Sequence, residues 1–210
     1  MNRIFVLLVF ATLVSAADGP RVFYSREMPG GFPEYLQIVV NRDGSTVYRE
    51  SIDDPDDEPL EFRLRPAVTE EIFSLAKKLD YFRKPLESNL KVANMGLKTF
   101  RWENGGEVHE QKFNFSKDMN ARLLADWFAR ITTAERNFVN LGRAAQFDKL
   151  GVNKVLLQLQ VSVERKRLVA GDQFLPLLDR IAGNESFLNM ARTRAANLAQ
   201  YIRSTGGDGQ

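Results

Sequence analysis

The chain has 210 residues, with 29 Lys+Arg against 27 Asp+Glu, one His and no Cys. Without cysteine there is no disulfide framework, thiolate nucleophile, Cys-ligated zinc or iron–sulfur cluster, and the single His excludes a multi-His metal site within one chain. A formal net charge of +2 with 44% apolar residues is ordinary for a globular chain and makes no electrostatic case for nucleic acid.

The N-terminus reads as an address. Arg3 supplies a positive start, Ile4 to Val14 is almost wholly apolar, and Val14-Ser15-Ala16 offers the small residues where a signal peptidase cuts. This layout predicts a signal peptide over residues 1–16. The apolar run is too short to span roughly 30 Å of hydrocarbon, and no later run is long enough either. The expectation is a mature chain without a transmembrane anchor, periplasmic or secreted.

Strands and turns follow. Val22 to Arg26 reads as a strand, and Tyr35 to Val40 is rich in β-branched and aromatic residues. Asn41-Arg42-Asp43-Gly44 is a strong turn, with Gly taking positive φ in a G1 bulge, and Val47-Tyr48 begins the return strand. Between Leu60 and Arg65, Leu60, Phe62 and Leu64 alternate with charged residues, as in a half-buried strand. A short helix comes next, with Thr69 as its expected cap, Glu70 and Glu71 in the first turn, and Lys77 and Lys78 in the last.

A second hairpin joins Lys98–Glu103 to Val108–Phe115 through Asn104-Gly105-Gly106. Ser116 is the expected cap of an amphipathic helix whose stripe is Leu123, Leu124, Trp127, Phe128 and Ile131. Within this part, Pro33, Tyr35, Ile38, Asp43-Gly44, Val47 and Tyr48 resemble the opening Cys-Pro-x-Tyr-x-Leu-x-Ile…Asp-Gly-x-Val-x-Tyr of an uncharacterised family of small exported bacterial domains, with Ile38 one position before the family's Ile and Val47 one after its Val. The resemblance covers about residues 20–140, with Phe32 in place of the family's Cys and Gln37 at its Leu. It implies a fold and no catalytic residue.

From about Thr132 the strand signals nearly stop. Arg136 to Phe147 continues helical, Gly151 breaks it, and Asn153 can start the next helix. Leu157 to Val163 alternates like a strand, yet Val152, Leu156, Leu159 and Val163 fit helical spacing, and the reading is helix. Pro176 suits a first-turn position, Gly183 ends one helix, and Asn184 is the expected cap of the last. The fold class is therefore α+β. The expected division is an α+β domain at 17–142, a helical segment at 143–203 and a disordered tail at 204–210.

Charge separates the halves. Residues 17–142 carry 18 basic and 21 acidic groups, whereas 143–203 carry 10 basic and 5 acidic. Arg165-Lys166-Arg167 is the one tight basic cluster and the candidate interaction site, with a solvated face as the plainer reading. His109, with Glu107 as an available orienter, is the only His that catalysis could use, but no nucleophile motif accompanies it. Asp53, Asp54, Asp56 and Asp57 form an acidic loop that is a weak candidate for Ca²⁺, although EF-hand spacing is absent. Trp102, Phe100, Phe113 and Phe115 read as core sooner than as a ligand surface.

No catalytic set and no cofactor site emerge. The leading expectation is a non-enzymatic exported module that binds a protein or an envelope component. The alternatives are a hydrolase acting on an envelope polymer through two carboxylates, or an inhibitor of an exported enzyme.

Overall fold

The computed structural model describes residues 19–51 and 58–205. Four strands open the fold: β1 (Arg21–Glu27), β2 (Tyr35–Asn41), β3 (Ser45–Arg49) and β4 (Leu60–Arg63). Helix α1 (Pro66–Lys78) follows, then the hairpin β5 (Leu97–Asn104) and β6 (Glu107–Phe113). The rest is helical: α2 (Met119–Phe147), α3 (Val152–Glu164), α4 (Leu175–Gly183) and α5 (Asn189–Thr205). The strands make one sheet in the order β4-β3-β2-β1-β5-β6, and every neighbouring pair is antiparallel. The fold is thus α+β, as expected.

Turn chemistry sets both hairpins. Gly44 has φ +86° and bonds back to the Asn41 carbonyl at 2.9 Å, while its own carbonyl accepts the Leu64 N–H. A Cβ at this position would stand 2.7 Å from the Leu64 oxygen, so glycine is required by space as well as by φ. Gly105 and Gly106 both have positive φ, as a two-residue hairpin turn with the matching twist demands.

Period-two alternation gives the sheet two unlike faces. Val22, Tyr24, Leu36, Ile38, Phe100 and Trp102 are buried on one of them, and α2 covers it: Phe128 stacks on Tyr24 with ring centroids 4.5 Å apart. Phe100 also meets Phe82 and Phe113. The aromatics at 100, 102 and 113 are therefore core, while Phe115 lies beyond the end of β6 and is half-buried. The opposite face mixes apolar Phe23, Val39 and Val47 with polar residues, and Arg101 lies over the Phe23 ring at 4.0 Å.

Helix starts differ from expectation at three places. Helix α1 begins at Pro66, where the fixed φ of proline suits the first turn, and the Thr69 hydroxyl bonds back to the Arg65 carbonyl instead of capping. Glu70 and Glu71 consequently sit beyond the first turn. Asp118, not Ser116, caps α2 by accepting the N–H groups of Asn120 and Ala121. Ser116 instead accepts the Asp118 N–H one turn earlier. Asn184 holds the Ser186 N–H within a turn, and α5 starts only at Asn189.

Residues 157–163 are helical, within α3. Helix α2 runs unbroken for 29 residues, so the boundary expected at 142/143 falls inside it. One apolar cluster joins the covered sheet face, α2 and the C-terminal helices, with Phe138 edge-on to Phe174 at 5.5 Å. Helix α5 includes Ser204 and Thr205, two residues of the expected tail. Among the described residues no helix is long and apolar enough to cross a membrane.

Candidate functional site

The basic cluster forms at the end of α3. Arg165 follows the last helical residue, and Lys166 takes φ +54°, which turns the chain sharply. The three cations then diverge. Arg167 is drawn back to α2, where its guanidinium meets the Asp126 carboxylate at 2.7 Å. Asp126 also holds Arg130 at 2.8 Å. Burial opposes ionisation of that carboxyl, but the two guanidinium partners outweigh it and leave its pKa below the usual value. Arg165 and Lys166 remain exposed.

Lys166 also lines a groove of about 630 Å³ between α3 and α5. Gln160, Val163 and Glu164 supply one wall, and Met190, Arg194 and Tyr201 lie on the other. Arg194 crosses the floor to Gln160 at 2.9 Å and to Asn153. Met190 is 59% exposed, which is unusual for a large apolar residue in a groove wall. The walls thus combine apolar anchors with hydrogen-bonding groups, the composition of a site that holds a side chain or short segment.

A second cleft, of about 390 Å³, opens between the β3–β4 end of the sheet and α2. The Tyr48 phenol donates to Glu50 at 2.6 Å. Arg136 lies 3.6 Å from Glu50, stacks on Phe32 at 4.7 Å and donates to the Phe32 carbonyl. Burial, then the Glu50 hydrogen bond, keeps the phenol protonated far above its ordinary range. Tyr48, Glu50 and Arg136 are thus each held by a neighbour.

Behind this cleft lies Glu135, fully buried on α2. One carboxylate oxygen accepts from Gln173 at 2.6 Å, and the other has no hydrogen-bond partner. Burial pushes the pKa up to about 7, with the Gln173 hydrogen bond opposing it. Solvent does not reach the group. The spacing of Leu124, Phe128, Ile131, Glu135 and Phe138 put this glutamate on the buried stripe, a signal open to sequence reading.

His109 sits on β6 opposite Trp102, on the face turned toward Phe113. Its Nε2 lies 3.3 Å from Glu107, a carboxylate that also holds Arg83 at 2.6 Å. Its Nδ1 is buried without a partner. Among the described residues no hydroxyl reaches it in a hydrogen bond, so no nucleophile–base pair forms.

The acidic loop Asp53, Asp54, Asp56 and Asp57 lies outside the described residues, as does the segment 1–16. Among the described residues no group of three or more His, Asp or Glu side chains could hold a metal. No family model and no curated protein matches the chain.

Proposed function

We propose that this chain is an exported, non-enzymatic interaction module that binds a protein or other envelope component through its basic helical side. The export reading rests on the charged, apolar and small-residue layout of residues 1–16. The observation that carries the binding reading is the open groove between α3 and α5, with Met190 exposed in one wall and Lys166 at its end. Such a groove takes an apolar side chain at Met190 and places an acidic group beside Lys166.

The test is affinity capture from native envelope extract, using the tagged full chain and two single variants, Met190→Asp and Lys166→Glu. Both positions are exposed, so the fold is retained. A partner captured by the parent chain and lost from both variants supports the reading. The same captured set from all three chains refutes the groove as the interface. Turnover of an envelope polymer by the purified protein, abolished by a single carboxylate or His109→Ala change, would replace the module with the carboxylate hydrolase.

A further inference from the structure

Helix α3 is apolar on two opposite faces. Val152, Leu156, Leu159 and Val163 are buried against the core. Lys154, Leu157, Val161 and Arg165 share the opposite side of the helix, spaced at i, i+3, i+7 and i+11. On that outer side Leu157 is 47% exposed and Val161 36%. Ahead of the helix, the turn out of α2 carries Phe147 and Leu150, each 75% exposed. These two large side chains therefore protrude at the tip of the α2–α3 turn.

Cations surround this apolar surface. Lys149 sits in the turn with its Nζ donating to Ser186 at 3.0 Å, Lys154 begins the outer face, and Arg165 and Lys166 close it. The two acids of the same stretch are occupied: Asp148 accepts the Gly151 N–H at 2.9 Å, and Glu164 accepts from Gln160 at 2.7 Å. Lys154, Arg165 and Lys166 have no ion-pair partner among the described residues.

We infer that the α2–α3 turn and the outer face of α3 dock onto an anionic lipid surface. At 75% exposure Phe147 and Leu150 are too open to enclose a peptide, and neither lines the groove between α3 and α5. A planar bilayer accepts Phe147 and Leu150 into its interfacial layer. The long lysine and arginine stems let their charges reach the headgroups from beside the buried residues. Leu157 and Val161 then lie at the level of the headgroups, and the helix axis runs along the membrane plane. The docking surface and the α3–α5 groove share Lys166 but not Phe147, Leu150, Leu157 or Val161, so lipid docking does not require the groove to bind.

Co-sedimentation of the purified full chain with phosphatidylglycerol vesicles, against phosphatidylcholine vesicles, tests it. The expected result is binding to the anionic vesicles only, weakening as salt rises. The double variant Phe147→Ser/Leu150→Ser binds at least about ten-fold more weakly, because two large apolar side chains no longer enter the interface. Lys154→Glu/Arg165→Glu weakens binding as well, and Met190→Asp leaves it unchanged. Unchanged far-ultraviolet circular dichroism confirms that each variant is folded. Failure of the parent chain to bind phosphatidylglycerol, or full binding by Phe147→Ser/Leu150→Ser, overturns the inference. Loss of binding with Met190→Asp equal to that of the tip variant overturns it too, because the contact then lies in the groove.

Discussion

Replacing Glu135 by Gln makes this protein more stable at neutral to alkaline pH. The carboxyl is fully buried, keeps one hydrogen-bond partner, and has its pKa raised by burial from 4.5 to about 7. In the unfolded chain the same group ionises at its ordinary pKa. At pH values below both pKa values the group is protonated in either state and contributes no pH dependence. Between them, the unfolded chain gives up its proton while the folded chain keeps it, so stability falls as pH rises. Above the folded pKa the penalty is constant. At about 1.4 kcal/mol per unit, the shift amounts to roughly 3 kcal/mol. Gln preserves the acceptor for the Gln173 amide and cannot ionise. Urea denaturation at several pH values reads the difference. Near pH 4 the two proteins should match to within about 1 kcal/mol, and near pH 8 the variant should be more stable by roughly 3 kcal/mol. Parallel stability curves, or a parent that is the more stable protein near pH 8, would refute the argument and imply a compensating charge beside Glu135.

Other substitutions probe the frame. Phe128→Ala removes the ring stacked on Tyr24 from a fully buried site and should cost about 3–5 kcal/mol in chemical denaturation. Gly44→Ala meets both a positive φ and the Leu64 carbonyl, so a loss above about 1 kcal/mol is expected, read as a lower melting temperature. Asp118→Ala removes the cap of α2 and should cost about 1 kcal/mol, with the loss persisting in high salt. Asp126→Asn breaks the link between α2 and Arg167; because the carboxylate is 37% exposed, the loss should stay under about 1 kcal/mol and shrink as salt is added. Its folded pKa is lowered, so that contribution is present above the unfolded pKa and vanishes as pH falls through the folded one.

Much of the secondary structure was legible locally because turns and periodicity are local physics. Asp43-Gly44 and Gly105-Gly106 could only turn the chain, and the runs beside them could only pair across those turns. Caps were less legible. Thr69, Ser116 and Asn184 are chemically suited to capping, yet backbone geometry put Arg65, which makes no side-chain cap bond, and Asp118 at the start of the first two helices. The alternation at Leu157–Val163 has a physical explanation in the fold. Leu159 and Val163 face the core, whereas Leu157 and Val161 face outward, so a helix apolar on two sides imitated the period of a strand.

The sequence alone determined the α+β class, both glycine turns, the helical C-terminal segment and the absence of cysteine chemistry. These depend on composition and on residues a few positions apart. Tertiary structure decided which groups meet across long separations. It placed β1 at the centre between two hairpins, and it drew Arg167 to Asp126, 41 residues away, leaving Arg165 and Lys166 exposed. It also sealed Glu135 beneath Gln173 and left one apolar face of α3 open. Burial is a property of the whole packed chain, and the same glutamate or leucine reads alike in sequence whether a neighbour covers it or water does.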